Sequence, residues 1–345
     1  MEHLTIAVFA DLHYKQEMYA TTVDDLQAIL DRAVACNAEL LLHCGDFCND
    51  YPHSPEILSP LLEGAHGLAA YGCYGNHELE TAGTPMSFVT PHLTNRPVVW
   101  GTADGKIGDG SIGHYYFDHK SYRFVIVDTN YSLRPDGNWE HNLTGSYCPA
   151  RENTKWNSLG PDQLQWLERT LQDAAEQDLH CIVVSHAALN DRKGVSPDGA
   201  AVREIFRRVN TKKPNTVFLV INGHHHTDGL SVQDGVVYFD VNAVRNAWWQ
   251  ATDHNKYTAE TPTFPFIPYD DDGNPLAPAV QRPLRSLRQG NHTLFTADPL
   301  SAILTIAEDG RIEIKGTASH WVADIAPDHP LPETSACIRD RSIKL

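Results

Sequence analysis

Five short apolar runs in this chain each end in residues of the types that bind metals. Leu4–Ala10 leads into Asp11-Leu12-His13, and Glu39–Cys44 into Gly45-Asp46. Tyr71–Tyr74 precedes Gly75-Asn76-His77-Glu78, and Cys181–Ser185 precedes His186. Thr216–Ile221 precedes Asn222-Gly223-His224-His225-His226. Short apolar runs bounded by turn residues read as buried strands. In open α/β sheets the ligand crevice lies outside the carboxyl ends of the strands. The pattern therefore predicts that side chains far apart in sequence converge on one site.

Helical stripes separate these strands. Val23, Leu26, Leu30, Ala33 and Val34 form one, and Ile57, Leu58, Leu61, Leu62 and Ala65 a second. Gly160-Pro161 opens a third, with Leu164, Leu167, Leu171 and Ala174 as its buried face; Val202, Ile205, Phe206 and Val209 mark a fourth. His114–Phe117 with Tyr122–Val127 reads as an antiparallel hairpin, and Val236–Val241 as a further strand. Ala302–Ala307 and Arg311–Lys315 flank Glu308-Asp309-Gly310, another hairpin signal. Segments 79–112 and 129–160 are irregular and polar, and 262–283 holds six prolines, which predicts a loop within 251–300. The expected organisation is one α/β catalytic domain over 1–316 and a C-terminal extension over 317–345.

Composition narrows the function. With 27 basic and 44 acidic residues the net charge is −17, which argues against gripping long nucleic acid by phosphate neutralisation. No apolar run approaches the roughly 18 residues of a membrane span. The start lacks a signal-peptide pattern, and the seven cysteines lack zinc-ribbon spacing and read as reduced thiols. A cytoplasmic protein without a membrane partner is expected.

The donor set is oxygen and imidazole nitrogen, which suits Mn, Fe or Zn better than Ca. Asp11, His13, Asp46, Asn76, His186, His224 and His226 are too many for one transition metal with open positions. They fit two ions about 3.5–4 Å apart that share a carboxylate. Gly45, Gly75 and Gly223 permit tight turns and close backbone approach beside them.

The ordered set DxH, GD, GNHE, strand-end His and GHxH resembles the calcineurin-like metallophosphoesterase superfamily over roughly residues 4–243. The resemblance implies a four-layer αββα sandwich of two mixed sheets with a dimetal site at one edge. It implies that Asp11, His13 and His226 hold one ion, that Asn76, His186 and His224 hold the other, and that Asp46 bridges them. His77 would face the substrate without ligating. The purple branch of the superfamily has DxG in the first motif and Tyr three residues after the bridging Asp. Here His13 and Asn49 stand at those places. The chain thus resembles the non-purple, phosphodiesterase-like branch.

The implied chemistry is hydrolysis of a small phosphoric ester, diesters preferred over monoesters. In that chemistry the ions would supply the attacking hydroxide, and His77 would protonate the leaving alkoxide. A phosphomonoesterase or protein phosphatase is the alternative subtype, and a catalytically silent metal-binding scaffold is the competing class. Asn49, Tyr14, Asn190, Arg192 and Arg245 follow motif or late-strand residues and are candidate substrate contacts. Tyr131, Trp139, His141 and Tyr147 in 129–160 could form a lid, and Trp248-Trp249 a stacking platform. His43 and His225 read as packing residues.

Overall fold

The computed structural model describes residues 1–14, 21–47, 67–79, 94–101, 113–141, 155–190, 196–250, 263–266, 280–283, 291–321 and 335–344. The helix expected at 57–65 lies outside them.

Two mixed sheets carry the fold. The first combines β1 (Leu4–Phe9), β2 (Leu40–His43), β3 (Ala69–Gly72), β18 (Ala302–Ile306), β19 (Arg311–Gly316) and β20 (Arg341–Lys344). Its order is β20-β19-β18-β1-β2-β3, with β1, β2 and β3 parallel and the other three antiparallel additions. The second combines β4 (Val99–Trp100), β5 (Tyr115–His119), β6 (Tyr122–Ile126), β10 (His180–Ser185), β11 (Val217–Asn222), β12 (Gly229–Gln233) and β13 (Val236–Asp240). Its order is β12-β13-β11-β10-β6-β5-β4, with β6, β10, β11 and β13 parallel.

Strand alternation divides the second sheet's side chains between two cores. Phe124, Ile126, Ile182 and Val184 face the first sheet and share its core with Leu4, Ile6, Val8 and Leu42. Val125, Val127, Cys181 and Val183 pack instead with Leu167 and Leu171 of α2 (Gly160–Glu176) and Val202 and Phe206 of α3 (Gly199–Lys212). On the other side, Leu26, Ile29, Leu30 and Ala33 of α1 (Val23–Ala35) join the first sheet's core. The layering is helix, sheet, sheet, helix, as expected. Gly160 has φ +75°, and Asp198 accepts the N–H groups of Leu159 (2.9 Å) and Gly160 (3.1 Å), satisfying two donors at the start of α2.

Three expectations are corrected. Segment 129–160 contains a small sheet of β7 (Tyr131–Leu133), β8 (Trp139–His141) and β9 (Lys155–Ser158), ordered β8-β7-β9. The Pro-rich stretch carries a ribbon of β15 (Thr263–Phe266) with β16 (Val280–Pro283), and β14 (Asn246–Gln250), just before the stretch, pairs with β17 (Asn291–Phe295) near its end. The chain after 316 is not a separate extension, since β20 pairs with β19 and Ile338 is buried in the main core. Arg341 donates to both carboxylate oxygens of the fully buried Asp228, at 2.6 and 2.7 Å, tying the tail to the loop after β11.

His43 and His114 are buried, and neither ring meets a hydrogen-bond partner among the described residues. Burial, with His186 second, pushes His43 down to about 3. Burial pushes His114 down to about 4 against the pull of Asp128. Each ring is neutral in the folded chain but charges near pH 6.5 when unfolded, so stability falls as pH drops below 6.5 toward those values. At pH 5 the His114 contribution is a loss of about 2 kcal/mol. Urea unfolding of wild type and His114→Leu at pH 7.5 and 5 is expected to show the variant losing about 2 kcal/mol less on acidification. Equal losses would mean that the native ring takes up a proton.

Candidate metal centre

The carboxyl ends of β1, β2 and β3 in one sheet and of β10 and β11 in the other meet at one edge. His13 Nε2 stands 3.3 Å from His226 Nε2, and His226 Nε2 stands 3.3 Å from Asp11 Oδ1. Asp46 Oδ2 lies 3.6 Å from His13 Nε2 and 3.3 Å from His186 Nε2. His186 Nε2 lies 3.2 Å from Asn76 Oδ1 and 3.0 Å from His224 Nδ1. All seven residues named from the sequence are therefore brought together. Their donor atoms form the groups Asp11–His13–His226 and Asp46–His186–His224, and a third group, His13–Asp46–His77, spans them.

The local backbone is bent to achieve this. Asp11, His13, Asp46, His224 and His226 all have φ between 50° and 71°, a left-handed conformation that non-glycine residues seldom hold. Such outliers persist where surrounding structure enforces them, and they cluster at functional sites. A Cβ on Gly75 would lie 2.1 Å from Asp46 Oδ1, and one on Gly223 would lie 2.6 Å from Asp11 Oδ2. Those two turns touch the carboxylates so closely that only glycine fits.

Outward hydrogen bonds aim the donors. His186 Nδ1 bonds the Cys44 carbonyl at 2.7 Å, which places its proton there and turns the Nε2 lone pair inward. Asp11 accepts the His224 N–H at 2.9 Å, and Asp46 Oδ1 accepts the His77 N–H at 2.9 Å. Burial opposes ionisation of Asp46, yet His186, His77 and His13 hold its carboxyl well below the usual range. Buried imidazole lone pairs facing buried carboxylates are a donor set suited to divalent transition metals.

The sequence pattern of the calcineurin-like phosphoesterase family matches residues 4–228. The chain belongs to that family. No curated protein matches. Among solved structures, a dimetal phosphatase from Danio rerio aligns with a TM-score of 0.56 at 16% identity, over 92% of this chain and 98% of that one. GAP50, the anchor in the inner membrane complex of Plasmodium, aligns at 0.43 and 10% identity, over 95% and 91%. An archaeal phosphodiesterase aligns at 0.33 and 12%, over 81% and 100%. At these identities the likeness speaks to fold, and only the first is near enough to do so. Family membership makes the chain a metal-dependent phosphoester hydrolase in class.

Around this phosphoesterase centre stand residues the motif reading gave no role. Glu78, fully buried, accepts the N–H groups of Asp46 (3.0 Å), Phe47 (2.5 Å) and Gly75 (2.5 Å), stapling the GD turn to the GNHE turn. Burial and the neighbouring Asp46 push its carboxyl up to about 7. Asp128, at the carboxyl end of β6, bonds His141 Nε2 at 2.6 Å and accepts from Asn130, whose amide reaches the Gly75 carbonyl at 3.3 Å. An acidic residue directly after the apolar run Tyr122–Val127 repeats the pattern of the five motifs, so this one was legible. Asn157 of β9 stands 3.2 Å from His224 Nε2.

The candidate substrate contacts fare differently. Arg245 is corrected: its guanidinium bonds both oxygens of Asp25 (2.8 and 2.6 Å) and the carbonyls of Thr296 and Ala297, which occupies it structurally. Tyr14 is buried in the core, its N–H on the Phe47 carbonyl. Asn190 is also buried. Asn49, Arg192 and Tyr147 lie outside the described residues, and of Trp248-Trp249 only the backbone, in β14, is described. His43 stacks on Phe47 with ring centroids 4.9 Å apart, a packing role.

Proposed function

We propose that this phosphoesterase hydrolyses small phosphoric diesters with two transition-metal ions, Mn, Fe or Zn. The observation that carries the reading is the convergence of six donor side chains in two groups linked through Asp46 and His13, with Asn76 Oδ1 beside His186 as a seventh. Asp11, His13 and His226 would hold one ion, Asn76, His186 and His224 the other, and Asp46 both. When bound, the ions supply positive charge for the phosphoryl oxygens and an activated water.

The chain's own side chains do the rest. The departing alkoxide needs a proton, and His77, whose N–H is anchored on Asp46, is the group we assign to give it. Glu78 holds the two turns so that Asp46 and His77 keep their relation. The preference for diesters follows the resemblance to the non-purple branch. A small substrate agrees with the −17 charge, which disfavours long polyanions. Among the described residues no helix is long and apolar enough to cross a membrane. Cys36, Cys44, Cys73, Cys181 and Cys337 are free thiols, in keeping with a cytoplasmic enzyme.

The Danio rerio neighbour is a phosphatase, so monoesters are the competing class. The test is turnover of the Mn-loaded protein on bis(p-nitrophenyl) phosphate and p-nitrophenyl phosphate. We expect kcat/KM for the diester to exceed that for the monoester by at least about tenfold. A higher value for the monoester would overturn the diester assignment, and no turnover of any ester would favour a silent scaffold.

A further inference from the structure

We propose that Asn157 is a positioning residue that fixes the tautomer of His224 and so sets metal affinity at the Asp46–His186–His224 group. The inference rests on the two-metal reading above.

Two observations of different kinds lead to it. The first is the contact: Asn157 Nδ2 lies 3.2 Å from His224 Nε2, on the side of the ring away from Nδ1. Nδ1 is the nitrogen that faces His186 Nε2, at 3.0 Å, inside the donor group. Nδ1 can ligate only through its lone pair, so the ring proton must sit on Nε2. A buried Nε2–H needs an acceptor. Asn157 is also buried, and its Oδ1 accepts that proton once the amide is turned to present oxygen to the ring. The two ends of an amide have the same shape, so a half-turn of the side chain exchanges Nδ2 for Oδ1 with no other movement. Metal-bound imidazoles are held in this way, with the other ring N–H on an oxygen acceptor.

The second observation is how the backbone delivers Asn157. Between β7 and β9 the pairing steps from Tyr131–Ser158 to Leu133–Lys155, so β9 has one more residue than its partner. This is a β-bulge, and Asn157 sits in it with φ +56°. A bulge with a left-handed residue turns a side chain away from the strand's regular alternation, and bulges recur beside active sites. The residue type fits both demands. Asn, like Asp, tolerates the left-handed region better than most side chains, and it carries an oxygen acceptor. The small sheet of residues 131–158 therefore supports the second metal group. Directly before β7, Asn130 on the Gly75 carbonyl holds the turn next to Asn76.

The test separates side chain from backbone. Asn157→Gly keeps the left-handed bulge without strain and removes the acceptor. Asn157→Asp keeps both the backbone preference and an acceptor oxygen. Metal-free wild type and both variants are titrated with Mn by calorimetry, with thermal unfolding of each metal-free protein alongside. We expect wild type to show two binding events. Asn157→Gly should weaken one of them by about 10–100-fold and leave the other nearly unchanged. Asn157→Asp should restore the weakened event to within about threefold of wild type, the tolerance for retaining an acceptor. Equal affinities in Asn157→Gly and wild type would overturn the proposal. An Asn157→Asp variant as weak as Asn157→Gly would also overturn it, because the amide would then act as a donor or as packing alone. Equal weakening of both events together with a lower unfolding temperature of metal-free Asn157→Gly would reduce Asn157 to a structural residue. Fewer than two events in wild type would instead refute the two-metal reading.

Discussion

Asp46→Asn is expected to lose most of both metal ions while keeping its fold, and with them nearly all ester hydrolysis. Asp46 Oδ2 is the carboxylate oxygen that reaches toward both groups, 3.3 Å from His186 Nε2 and 3.6 Å from His13 Nε2. The Asn side chain keeps an oxygen for the His77 N–H that Asp46 Oδ1 now accepts. The N–H bonds of residues 46 and 47 to Glu78 involve only the backbone and are untouched. What the substitution removes is one buried negative charge shared by two cations. Ligand charge is a main determinant of affinity, and sharing makes the loss cooperative. Elemental analysis of the purified variant should give well under about one ion per chain, with an unchanged far-ultraviolet circular dichroism spectrum. A variant that keeps two ions would show that Asp46 does not bridge.

His77→Ala should lose activity in a way that depends on the leaving group. His77 is buried, its ring stands edge-on to His13 with centroids 4.6 Å apart, and its Nε2 lies 3.9 Å from Asp46 Oδ2. That position suits either a proton donor at the edge of the centre or an extra ligand, and His77 is a member of the third donor group. As the donor, it protonates an alkoxide that cannot leave as an anion. Hydrolysis of an alkyl ester should then slow by about 10²–10⁴-fold, whereas a p-nitrophenyl ester, whose anion leaves without help, should slow far less. Metal content should not change. Equal loss for both esters would make His77 a binding group for the phosphoryl oxygens. Loss of metal would make it a ligand.

The convergence of these side chains was legible in the sequence because each candidate ligand is local to a strong signal, an apolar run followed by Asp, Asn or His. The parts that escaped act at long range or in short elements. Arg245 follows β13 much as the motif residues follow their strands, but its guanidinium is committed to Asp25, 220 residues earlier on α1. No local pattern announces such a pairing. Strands β7, β8 and β9 have only three or four residues each, too few for alternation to show, so they read as irregular chain. β15 contains Pro265, which lowers any strand reading and is tolerated in a two-stranded ribbon. β20 is an edge strand whose side chains are exposed or half-buried in alternation, giving no apolar run. Glu78 was visible within the GNHE motif, but its work is done through three backbone N–H groups that only the fold brings together.

On the proposed reading this phosphoesterase holds two ions in one buried donor cluster. Metal-free wild type reconstituted with Mn, freed of excess ion by gel filtration and analysed for bound metal, tests it directly. About two ions per folded chain are expected, because the seven candidate ligands exceed what one transition metal with open positions can take. One ion or none in fully folded protein would contradict it.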